Sequence, residues 1–139
     1  MRFMVMIKAT PQTEAGEMPS EDVLAAMGRY NEDLANAGVL LGGEGLQPSR
    51  KGARVRFQDG QCSVTDGPFA ETRELIAGYW VFQTASLQEA VDWVKRWPQQ
   101  AIGDAEIEIR QIFEAEDFGA AFTPELREQE DRLRAQLNH

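Results

Sequence analysis

The side chains able to do chemistry in this chain are few, and most are carboxylates and arginines. Its 139 residues contain one histidine, His139, at the last position, and one cysteine, Cys62. A Ser-His-Asp triad, a histidine–aspartate dyad in the core and a multi-histidine zinc site are therefore excluded. Acid/base work by carboxylates and anion binding by arginines remain. Two carboxylates stand in unusual settings. Asp66 precedes a Gly-Pro in "VTDGPFAETRELIAGYW", Val64 to Trp80. An aspartate before a turn ordinarily accepts from the amide two residues on. That residue is Pro68, which has no N–H. The carboxylate must look to the Phe69 amide, a hydroxyl or an arginine, or else act as a buried acid or base with a raised pKa. The preferred reading is an ionised, largely buried brace, with Arg73 or Arg110 as the arginine partner. Glu44 lies among glycines in "LLGGEGLQPS", where a bare backbone can approach a ligand.

Asp66 and Glu44 are thus the candidate catalytic residues. Arg73, Tyr79, Glu108 and Arg110 are the candidate ligand contacts, the arginines fixing an anionic group. Arg110 is also a possible partner of Asp66 or Glu44. Arg50, Lys51, Arg54 and Arg56 concentrate basic charge, which reads as a solvated hairpin before it reads as an anion site. "GGEG" has the wrong spacing for a dinucleotide fingerprint, and no helix follows it. No cofactor is expected, and no tight zinc or iron site. Glu44, Asp66 and Glu71 leave open a carboxylate site for a hard cation.

These residues must be positioned by elements that the pattern predicts. Phe3 to Lys8 is apolar on both faces, a strand covered on both sides. Residues 9–19 read as loop. Ser20 caps a helix whose stripe is Val23, Met27, Tyr30, Leu34 and Ala37, ended by Gly38. A strand from Val39 runs into the glycines. Asp59-Gly60 then turns a hairpin that pairs Phe57 with Cys62, Val55 with Val64 and Ala53 with Asp66. Leu75 to Thr84 is another strand with two apolar faces. Ser86 to Glu89 opens a second helix as a capping box, stopped by Pro98. Ala105 to Phe113 is the last strand. Thr123-Pro124-Glu125 starts a terminal helix, carrying Leu126, Leu133 and Leu137 and the pairs Glu128–Arg132 and Glu130–Arg134. The order β-α-β, hairpin, β-α-β predicts a ferredoxin-like α+β fold with an inserted β-hairpin and a C-terminal helical tail. Helices cover one sheet face, so a second copy is expected on the other: a homodimer.

Composition narrows the partners. Fourteen basic and 23 acidic residues give a net charge of −9, against nonspecific nucleic-acid binding and adhesion to anionic membranes. The apolar part of "MRFMVMIKAT" is too short for a secretion signal, so a cytoplasmic location is expected. A lone cysteine fits a reducing compartment.

Together "LLGGEGLQPS", "VTDGPFAETRELIAGYW" and "EIEIRQI" resemble the YCII-related family, in its DGPF-motif branch. Asp66-Gly67-Pro68-Phe69 followed by Glu71, Arg73 and Glu74 carries the likeness, with Arg73 where the family commonly has lysine. The resemblance implies a domain over residues 1–117, followed by a helical extension, 118–139. It further implies a ferredoxin-like fold of the dimeric α+β barrel type and a functional link to a sigma factor. Some relatives are thought to use a His-Asp pair, and a dehydrochlorinase is known in the broader family. With no histidine in the domain, that chemistry does not transfer. The expected function is a homodimeric small-molecule-binding or regulatory protein. The alternative is a small carboxylate-dependent enzyme using Asp66 or Glu44.

Overall fold

A computed structural model of the chain describes residues 1–138; His139 lies outside them. Strand β1 (Arg2–Lys8) is central, because its alternate apolar residues supply material for two faces. After it comes a one-turn helix, α1 (Pro11–Glu14), capped by Thr10 with proline at its first position. Residues 9–19 are thus not all loop: Thr10-Pro11 is itself a helix-start signal. Helix α2 (Glu21–Asn36) begins where Ser20 accepts from the Val23 amide. Strand β2 (Leu40–Gly45) leads to a 3-10 turn, Ser49–Lys51, and the hairpin of β3 (Ala53–Gln58) and β4 (Gln61–Asp66). Asp59 and Gly60 both have positive φ, 53° and 74°, as a type I′ turn requires. A second 3-10 turn, Thr72–Glu74, precedes β5 (Ile76–Gln83). Helix α3 (Leu87–Val94), the short α4 (Gln99–Ile102), β6 (Ile107–Gln111), a 3-10 stretch (Ala115–Ala121) and helix α5 (Pro124–Leu137) complete the chain.

The main sheet has the order β2-β5-β1-β6, antiparallel throughout. With its two long helices between strands, this is the ferredoxin-like α+β arrangement, and the hairpin forms a separate two-stranded ribbon. The sheet is open, not a closed barrel. One face packs on helices. There Phe3, Val5 and Phe82 meet Leu34 of α2, all four essentially inaccessible to water. Trp80 lies edge-on to Tyr30 and to Trp97, with ring centroids 5.5 and 6.1 Å away. Ala26 is buried on α2 while Ala37 is exposed, so the stripe lies slightly differently from the predicted one.

Tyr30 joins the two long helical segments. Its hydroxyl donates to the Trp93 carbonyl at 2.6 Å, and burial pushes its pKa up to about 12. The folded state therefore resists ionisation that the unfolded chain undergoes near 10. The contribution is complete below pH 10 and is lost as pH rises through about 12. Tyr30→Phe is expected to lower stability by about 0.5–1.5 kcal/mol at neutral pH. It should also remove this part of the alkaline loss, as urea unfolding at pH 7 and pH 11 would read.

Candidate functional site

The turn that contains Asp66 is held by a different residue. Asp66 is exposed and, among the described residues, its side chain has no hydrogen-bond or ion-pair partner. The expectation of a buried brace is thus corrected. The reason is that the whole hairpin stands away from the core: all six residues of β3 and all six of β4 are exposed. Its apolar face is not a core face, so Asp66 keeps its water and needs no arginine. The register itself, Ala53 opposite Asp66 through Gln58 opposite Gln61, is as the turn predicts.

Ser49 is the brace. Its amide and hydroxyl both donate to the Glu14 carboxylate, the amide at 2.9 Å. Its hydroxyl oxygen accepts from the Phe69 amide at 3.0 Å. The donor that the turn sequence left open to Asp66 is therefore taken by a serine twenty residues upstream. Gly67 is needed for this closeness. A Cβ there would lie 1.7 Å from the Ser49 carbonyl oxygen, and the Gly67 amide donates to the Gly52 carbonyl at 3.0 Å. The peptide bond into Pro68 is cis. The Arg54 guanidinium lies 3.9 Å above the Phe69 ring, joining the hairpin to the turn. Ser49 hydrogen bonds, from the hydroxyl first and the amide second, hold the Glu14 carboxyl below its ordinary range.

Four of the six candidate residues share the sheet face that the helices leave open. Glu44 pairs with Tyr79, Tyr79 with Met6, and Met6 with Glu108, one row across four strands. Arg110 lies in the next row, opposite Met4. Glu44 and Glu108 are separated by three strand spacings, about 14 Å, too far to share a proton or a ligand atom. Glu108 is engaged by Lys8 at 3.3 Å and Arg110 at 3.5 Å. Lys8 first, then Arg110, holds its carboxyl below the ordinary range. Arg110 is thus paired with its strand neighbour, not with Asp66 or Glu44. Glu44 is exposed and unpaired among the described residues. Arg73 is exposed on the Thr72–Glu74 turn and makes no ion pair among them. No three of their His, Cys, Asp or Glu residues could hold a metal ion, so Glu44, Asp66 and Glu71 form no such site.

A cleft opens at the other side of the β2 edge. It has a volume of about 580 Å³ and lies between α2, the Thr13–Pro19 segment, the β2 and β5 strands and Ile102. Val23, Leu24, Met27, Leu40 and Trp80 make it mostly apolar. Gly43 keeps it open against Trp80, for a Cβ there would lie 2.8 Å from the indole ring. Thr13, Glu17, Glu44 and Tyr79 also border it, so two of the sequence-predicted residues reach its edge, and Asn31 is its polar group on α2. The Trp80 indole N–H, which can only donate, gives its proton to Asn31 Oδ1 at 2.9 Å. The Asn31 amide is thereby oriented, and its NH2 has no protein acceptor among the described residues. No sequence signal marks Asn31, since one asparagine in a helix has no characteristic spacing. Glu14 and Ser49 were likewise missed, although Thr10-Pro11 announces the helix that carries Glu14.

The family model described as the YCII-related domain matches residues 1–116. An uncharacterised protein of Rhizobium meliloti (strain 1021) is 32% identical over 99 residues, 71% of this chain and 77% of that one. A solved structure of 5-chloro-2-hydroxyhydroquinone dehydrochlorinase (TftG) from Burkholderia phenoliruptrix AC1100, in complex with 2,5-dihydroxybenzoquinone, is similar with a TM-score of 0.47 at 15% identity. The match covers 81% of this chain and 94% of that one. A likeness of this degree carries no chemistry across.

The brace gives a contrast between two substitutions. Ser49→Ala strands the Phe69 amide and should cost about 1–3 kcal/mol in urea unfolding. Asp66→Asn should stay within about 0.5 kcal/mol, as for other exposed positions. Because the Glu14 pKa is lowered in the folded state, its contribution is present above the unfolded carboxylate value and lost as pH falls through the folded one. Stability of the wild type should therefore fall more than that of Ser49→Ala on acidification below pH 4.5.

Proposed function

The chain belongs to the YCII-related domain family, and from that premise we propose that it is a homodimeric small-molecule-binding protein of the DGPF-motif branch. The observation that carries the reading is the apolar cleft beside α2, with one oriented amide donor at Asn31. Binding sites of this kind combine an apolar lining with a few placed polar groups. The ligand it suits is a largely apolar molecule with one acceptor oxygen for the Asn31 NH2. Catalysis draws less support. General acid/base work at neutral pH wants a group poised near 7. The carboxyls of Glu14, Glu108 and Glu114 are instead all held low by hydrogen-bonding or cationic neighbours; Asp66 lies outside the cleft, and Glu44 lines its β2 edge with no partner among the described residues.

The homodimer is supported by the open sheet face. Met4, Met6, Tyr79 and Val81 lie together there, half-buried and uncovered by helices. A second copy presents the same apolar surface, and isologous contact would cover both. A regulatory role linked to a sigma factor rests on the family resemblance. A domain over 1–117 with an appended tail accords with the extent of the family match, 1–116.

N-phenyl-1-naphthylamine, a neutral apolar fluorophore, tests the cleft. It should bind saturably and quench Trp80 emission. Val23→Trp fills the cleft from α2 and should weaken binding on the order of tenfold, about 1.4 kcal/mol, with the circular dichroism spectrum unchanged. Equal binding by the wild type and Val23→Trp would mean that the cleft is not the site.

A further inference from the structure

The hairpin presents an apolar face to water. Val55, Phe57 and Val64 are 54%, 80% and 64% exposed, and the register sets Val55 opposite Val64 and Phe57 opposite Cys62. Two-stranded ribbons are marginal in water without a further layer, and among the described residues none covers its apolar face. A second uncovered apolar surface lies at the other end of the chain. Phe113 and Phe118 stack at 5.1 Å, and Phe118 and Phe122 lie 5.6 Å apart. These rings floor a groove of about 570 Å³ against α5. Phe113 is 67% and Phe118 54% exposed.

We propose that the β3–β4 hairpin is an arm that docks into the aromatic groove beside α5 of a second copy of this chain. The proposal rests on the homodimer reading above and adds where the arm goes. Charge supports the pairing. Residues 49–66 carry four basic and two acidic side chains, a balance of +2. Residues 112–138 carry seven acidic and three basic ones, a balance of −4. Asp131 on the groove wall has no cation partner among the described residues, while Arg127 and Arg134 are held by Glu116 and Glu130. An arm rich in arginine thus meets an aromatic floor whose wall offers it Asp131, since Glu114, Glu116 and Glu130 are already paired with Arg2, Arg127 and Arg134, and Phe57 is the anchor. That is the anatomy of an interface with an apolar centre and a charged border. Two-fold symmetry makes the contact twice, each copy giving an arm and receiving one. A nucleic-acid partner suits the arm less, since the chain as a whole is at −9.

Cys62, on the arm and opposite Phe57, is the only thiol, so placement can be read by cross-linking with a short bismaleimide. Sedimentation velocity reads the dimer independently. Phe118→Cys should give a covalent dimer, and the wild type, with Cys62 alone, should not. Cys62→Ser combined with Phe118→Cys should abolish the link. Where Phe118→Cys fails to fold, Ala115→Cys on the groove wall replaces it. Phe57→Ala removes a side chain that is 80% exposed within the protomer, so its fold should persist while the dimer dissociation constant rises on the order of tenfold or more. Three results would overturn the proposal. One is a wild-type dimer linked through Cys62 alone, which would place arm against arm. Another is a sedimenting dimer in which neither groove cysteine is linked, which would send the arm elsewhere. The third is a monomer at micromolar concentration, which would remove the homodimer reading as well.

Discussion

The packing of α2 against one side of the sheet is the contact on which the other features depend. Phe3, Val5, Leu34 and Phe82 are closed off from water there, and burial of four such side chains supplies a large apolar driving force. The same contact divides the chain's functional possibilities. Its loose margin, where α2 parts from the β2 edge over Gly43, is the cleft. Its reverse side is the row from Glu44 through Tyr79 and Met6 to Glu108. Trp80 belongs to both the packing and the cleft. It packs edge-on within the aromatic cluster and orients Asn31 at the cleft wall.

The charged turn after the hairpin is organised on a different principle. Hydrogen bonds centred on Ser49 hold it, with the Gly67 amide on the Gly52 carbonyl and Arg54 over the Phe69 ring beside them. Ser49 gives its protons to Glu14 and accepts one from Phe69, so three separate segments meet at one side chain. Such a network has few substitutes: threonine adds a methyl group, and alanine removes the link. The aspartate that draws the eye in the sequence is peripheral to it.

Much of the fold is legible in the residues. Ser20, Ser86 and Thr123 each cap the helix they were expected to cap. Asp59-Gly60 sets the hairpin register to the residue. These signals are local: each depends on a few neighbours whose backbone preferences agree. Asp66 shows where local reading stops. Alternation correctly places it on the apolar face of the hairpin. Whether that face is a core face depends on what packs against it, and periodicity holds no such information. The Glu14–Ser49 contact spans 35 positions, and the Trp80–Asn31 contact spans 49. Neither pair has a pattern that a single sequence displays. Glu44, Tyr79, Glu108 and Arg110 do share a face, which follows from strand order. Arg73 does not join them, because its turn lies outside the sheet.

The chain leaves and re-enters the sheet at neighbouring points. Gly45 pairs with Gly78, and the Leu46 amide donates to the Ala77 carbonyl at 2.8 Å. Residues 47–75 between these points therefore form an excursion whose two ends are neighbours. Closing a loop of different length across the same gap changes its entropy only slowly with length. The excursion is closed at its base by the pairing of Gly45 with Gly78, and fastened a second time where Ser49 meets Glu14 of α1. It is an accessory module set on the open edge of the scaffold, with two fastenings: the strand ends at its base and one hydroxyl-bearing residue on its flank.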